Sequence, residues 1–169
     1  MLSSLLTTPA TLARKACESL AMLATAYLLF VVAFNIAARA VFDLTGGSIN
    51  FLINGAIEQA AYALLILVFA SLPAALHSGL VSVDVLTTKL PDGIQSLAKR
   101  FWFLVFFGFA LLLLWLFAHE TATSFVRGDS SQDLGIPLYV FFTVITVECA
   151  ALALVSLREA LSPTPAESV

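Results

Sequence analysis

The stretch FWFLVFFGFALLLLWLFA, from Phe101 to Ala118, runs eighteen residues without one polar side chain. As an α-helix rising 1.5 Å per residue it is about 27 Å long, just enough to cross a hydrocarbon core of about 30 Å. Three further stretches have the same character: about 20–41, 51–76 and 136–157. The whole chain agrees with them, since 60% of its 169 residues are hydrophobic, 11% are charged and mean hydropathy is +1.00. Soluble domains run at about 45–50% apolar and about 25% charged. A soluble fold of this size cannot hide so much apolar surface, so lipid must take it up. The expected fold is an all-α membrane protein: one domain over 1–161 with four transmembrane helices, followed by a short Pro-containing tail, 162–169, read as disordered.

The first apolar run follows Arg14 and Lys15, as a signal peptide would, but it exceeds the 7–15 residues of a signal core. It reads as a retained helix. Basic residues in short loops set orientation. Arg14 and Lys15 lie in the N-terminal tail, and Lys89, Lys99 and Arg100 lie between the second and third spans. The loop from Asp43 to Asn50 has no basic residue, and that from His119 to Gly135 has only Arg127. Both termini are therefore expected in the cytoplasm. Between the second and third spans, Leu80, Val83, Leu86 and Leu90 recur at helical spacing among polar residues, which predicts a short amphipathic helix lying at the inner membrane surface. No internal repeat is evident.

A net charge of −3 with scattered basic residues excludes a nucleic-acid binder. Cys17 and Cys149 stand alone, without the spacing of a zinc site or redox pair. No nucleophile triad or phosphate loop is present, so neither an enzyme nor a cofactor or metal site is expected. His77 and His119 belong to opposite membrane faces, which excludes an intrachain bis-histidine haem. Membrane-embedded polar residues are costly and mark function or packing. Asn35 and Arg39 share one face of the first span, and Glu58 lies seven residues into the second at a similar depth. They predict a polar clasp between the two spans, with Glu58 accepting from Asn35 or Arg39. Glu148, near the middle of the fourth span, has three candidate roles: a neutral acid, bonded to Thr143 or Thr146, or paired with another subunit. Ala33/Ala37, Ala56/Ala60 and Cys149/Ala153 are small-residue pairs suited to helix contact. They suggest that the first, second and fourth spans pack together while the third faces lipid or a large apolar partner.

Several short motifs fall in a familiar order. The first span ends Arg39-Ala40-Val41-Phe42, and Glu58 opens the second. That span leaves the membrane into a segment carrying His77, Gly79 and Asp84, closed by Leu90-Pro91. Leu134-Gly135-Ile136-Pro137 opens the fourth span. Over about residues 20–157 the chain resembles the small membrane subunit of TRAP (tripartite ATP-independent periplasmic) transporters. It departs from the pattern at Leu80, where the family carries His. It also has a single Glu where the family has two, and a longer loop before Glu58. The resemblance implies a transporter component of the bacterial inner membrane. It would brace a large transmembrane permease subunit and help dock a periplasmic substrate-binding protein during sodium-coupled uptake of an organic acid. Ser48, Asn50, Arg127, Asp129 and Gln132, in the two outer loops, are the docking candidates. Rival readings are the small subunit of a tripartite tricarboxylate transporter and an autonomous small exporter. Exporters of that kind place a working carboxylate in the first span, and here that span has none.

Overall fold

The computed structural model describes residues 2–78 and 92–161. Their regular elements are four helices: α1 (Leu2–Leu44), α2 (Ala56–Ser78), α3 (Asp92–Arg127) and α4 (Leu138–Leu161). Each contains a segment long and apolar enough to cross a membrane. The expected interfacial helix falls on residues 79–91, outside the described residues, as do Gly79, Asp84, Pro91 and the tail 162–169.

The helices alternate in direction. Loops 45–55 and 128–137 therefore share one end of the bundle, called here the loop end, while the terminal ends of α1 and α4 share the other. With 43 and 36 residues, α1 and α3 extend about 63 Å and about 53 Å, well beyond a bilayer core. α2 starts at Ala56 rather than near Phe51, because Gly55 adopts a left-handed backbone (φ +65°) and the loop before it turns. α1 stops where Gly46 and Gly47 take positive φ and the Gly47 N–H bonds back to the Phe42 carbonyl at 2.9 Å, the usual glycine termination of a helix.

α4 is the central helix. It packs on α1, α2 and α3 and buries Ile145, Glu148, Cys149, Leu152, Val155 and Ser156 almost completely. α3 makes its most extensive contacts with α4, so it belongs to the bundle, contrary to the expectation of three packed spans with a peripheral third. It still turns Phe101, Phe109, Leu112 and Trp115 outward. The reason lies in its spacing: Phe103 and Ala110 are buried seven residues apart, Phe117 follows half-buried and Ser124 is buried again. α1 shows the same period, with Ala10, Cys17, Ala24, Val31 and Ala38 forming its buried stripe among the side chains described. A seven-residue recurrence keeps one seam facing its neighbours when helices cross at shallow, left-handed angles. Ala33 and Ala37 lie off that seam and are exposed, so the small pair read from the sequence is not the packed one. On α4 the pair Cys149/Ala153 is buried as expected. The apolar core joins Ala10, Leu76, Phe103, Ala110, Leu152, Val155 and Ala160 from all four helices.

Candidate functional site: a carboxylate clasp at the loop end

Because α2 begins at Ala56, Glu58 sits in its first turn, where the helix presents unpaired N–H groups and a partial positive charge. Its carboxylate reaches across to the other loop. Oε1 accepts the Gln132 N–H at 3.1 Å, and Oε2 accepts those of Asp133 at 3.0 Å and Leu134 at 3.2 Å. The Tyr62 hydroxyl, one turn further along α2, donates to Oε1 at 3.2 Å. Three successive backbone N–H groups converging on one anion form a nest, and hydrogen bonds to an ionised acceptor are the strong kind.

The surroundings enforce this approach. A Cβ on Gly55 would lie 3.0 Å from Asp133 Cβ and 3.0 Å from Leu134 Cγ, so only glycine lets the loop close on the start of α2. The Tyr62 ring stacks on Phe141 of α4 with centroids 4.0 Å apart and planes 11° apart, which fixes the hydroxyl beside Glu58. Loop 128–137 is itself tightly folded. Ser131, buried, donates its N–H to the Ile136 carbonyl at 2.8 Å, and the Leu138 N–H reaches the Asp129 carbonyl at 3.0 Å. Next to the clasp, the Tyr27 hydroxyl of α1 donates to Gln59 Oε1 at 2.7 Å, while Gln59 Nε2 donates to the Asn54 carbonyl at 3.1 Å. The start of α2 is thus tied to α1 as well as to the α3–α4 loop. Beneath these bonds lies an apolar groove of about 430 Å³ between α1, α2 and α4, walled by Leu20, Leu23, Ala24, Ile66 and Phe141.

A clasp therefore exists, but with other partners than the sequence suggests. Asn35 lines a separate, smaller groove with Ala56, Ile57 and Ala60, and Arg39 is exposed. Neither is among the hydrogen-bond partners of Glu58, because the first turn of α2 aims Glu58 at the α3–α4 loop. Gln59, Tyr62 and the 132–134 turn escape sequence reading, since nothing local marks a loop as the complement of a distant carboxylate. Gly55, three residues before Glu58, is the one available signal. Glu148 is 1% exposed and both its carboxylate oxygens lack a partner among the described residues. The two threonines considered for it point elsewhere: Thr143 donates to Tyr139 and Thr146 to Phe142, both at 2.7 Å. Ser48 and Asn50 are exposed in loop 45–55, where Asn50 Oδ1 accepts the Leu52 N–H at 3.0 Å. Arg127 and Asp129 face one another at 3.9 Å on the surface of the other loop, beside Gln132. These five docking candidates share the loop end. His77 closes α2 at the opposite end, and His119 stacks on Trp115 near the loop end of α3, so the helices keep the two histidines apart. No cluster of three metal-ligating side chains occurs among the described residues.

Fold and site together define a multi-pass helical membrane protein whose organised polar centre holds connecting loops to a helix start. Within that class the chain belongs to the family of the tripartite ATP-independent periplasmic transporters, DctQ component, whose family model matches residues 19–165. It is thus a small membrane subunit of the TRAP type, in a family of transporter components. No curated protein and no solved structure matches the chain.

Proposed function

We propose that this subunit braces the large permease subunit in the bacterial inner membrane and presents its loop end to a periplasmic substrate-binding protein during sodium-coupled uptake of an organic acid. The observation that carries the docking role is the Glu58 clasp. It ties loop 128–137 to the start of α2, giving Arg127, Asp129 and Gln132 a fixed platform instead of a mobile loop, and a preorganised surface loses less entropy on docking. The bracing role draws on the large apolar area that α1 and α3 leave uncovered and on family membership. Family membership favours this reading over a tricarboxylate-system subunit or an autonomous exporter. Both termini lie in the cytoplasm and the loop end in the periplasm, in keeping with the distribution of Lys and Arg.

The test has two parts. A tagged chain expressed with the permease of its own operon should bring that permease down in mild detergent, and deleting the chain should abolish uptake. Cysteines placed at Ser48 and at Lys99 then read orientation. Both native thiols are buried, so an impermeant maleimide should label Ser48→Cys from outside and Lys99→Cys only after the membrane is opened. The reverse pattern, or a chain that purifies alone, overturns the proposal.

A further inference from the structure

The clasp leaves two polar side chains of α1 without work. Asn35 and Arg39 lie one helical turn apart on the same side of α1, about 13 Å and about 7 Å below its loop-end terminus. Among the described residues neither side chain has a hydrogen-bond or ion-pair partner, and Asp43, one turn beyond Arg39, does not pair with it. Asn35 forms one wall of a groove of about 250 Å³ between α1 and α2, whose other walls are Val31, Val32, Ile36, Ala56, Ile57 and Ala60. The alanines leave the α2 wall low, so another helix can approach its backbone closely. Ile36 and Ile57 at the rim are 65% and 84% exposed.

Lipid chains fill such a groove poorly, since they offer nothing to an amide and hydrocarbon leaves an unpaired polar group unsatisfied. A protein helix with a polar side chain satisfies it. We infer that the groove between α1 and α2 is the seat of a membrane helix of the large permease subunit, which brings a hydrogen-bonding side chain to Asn35 and an acidic one to Arg39. This rests on the reading of the chain as the small subunit of a two-part membrane complex, and it names the face that makes the contact. The opposite choice, the aromatic side of α3 with Phe109, Leu112 and Trp115, offers a single indole N–H, that of Trp115, and no amide or charged group.

The experiment is site-directed photo-crosslinking in native membranes. A diazirine amino acid is placed at Ile36, at Ile57 and, for comparison, at Leu112, in an otherwise unaltered complex. Adducts with the permease subunit are expected from Ile36 and Ile57 and not from Leu112. In detergent pull-downs, Asn35→Leu and Arg39→Leu should each lower recovery of that subunit about tenfold, the scale of one lost interhelical hydrogen bond. The melting midpoint of each variant purified alone should stay within the range of the unaltered chain. If a variant fails to fold, the crosslinks in the unaltered background still decide. Permease adducts from Leu112 alone, or phospholipid adducts from Ile36 and Ile57, overturn the assigned face and leave the small-subunit reading intact. Failure of the unaltered tagged chain to retain any permease overturns both.

Discussion

A carboxylate that accepts three consecutive backbone N–H groups leaves the segment supplying them few alternatives. Replacing Glu58 with Gln keeps the shape of the side chain but removes its charge and one acceptor, so at least one of the amides at 132–134 must release. Hydrogen exchange of Gln132, Asp133 and Leu134 should accelerate strongly in Glu58→Gln, while exchange in the middle of α4 stays unchanged. Equal protection in both proteins would show that the loop holds itself. Gly55 is a second point of constraint: an added Cβ would meet Asp133 and Leu134 at 3.0 Å, and φ is +65°. Gly55→Ala combines overpacking with a backbone conformation that alanine adopts reluctantly, and should destabilise the chain by about 1–3 kcal/mol in SDS titration from mild detergent. Glu58 was legible as an important carboxylate because a charge in an apolar run is conspicuous. Its partners were not, because backbone N–H groups are the same in every residue and only folding aims them.

At the scale of elements, the four spans could be read because lipid imposes length and apolarity on each helix separately. Which face of each helix packs could not be read that way. In α1, alanines occur on both sides, and Ala33/Ala37 carry the same small-residue signal as Ala24 and Ala38. The decisive cue is the seven-residue period through Ala10, Cys17, Ala24, Val31 and Ala38, spread over 29 residues, which a search for local pairs passes over. Ala38→Leu, at a seam position that is 5% exposed and lines neither groove, should therefore force α1 from its neighbours and cost about 1–3 kcal/mol in the same titration, whereas Ala33→Leu, on the exposed side, should leave the midpoint unchanged. Equal effects at the two positions would refute the seam. The central place of α4 is likewise a matter of arrangement. Its composition resembles that of α2, yet it alone touches all three other helices so broadly.

For the whole molecule, the helix directions gather loops 45–55 and 128–137 at one end, and the clasp makes one surface of them. On the proposed docking role, reversing the paired surface charges by Arg127→Glu with Asp129→Lys should weaken association with the substrate-binding protein, chiefly by slowing its formation, without loss of the permease subunit from pull-downs. Association measured by surface-immobilised complex in detergent or nanodiscs checks this. Unchanged kinetics would move the docking surface away from this loop.

The sequence by itself determined the membrane class, the four helices and the family, because hydropathy acts on each segment in place and short motifs persist in order along the chain. Only the tertiary structure decided that Glu58 grips the 132–134 turn, that α4 stands at the centre, and that Asn35, in its groove, and Arg39, exposed, have no partner among the described residues. Those outcomes depend on the rotation of each helix about its axis and on the point where α2 begins. Both are set by contacts between residues far apart in the chain, which local spacing does not encode.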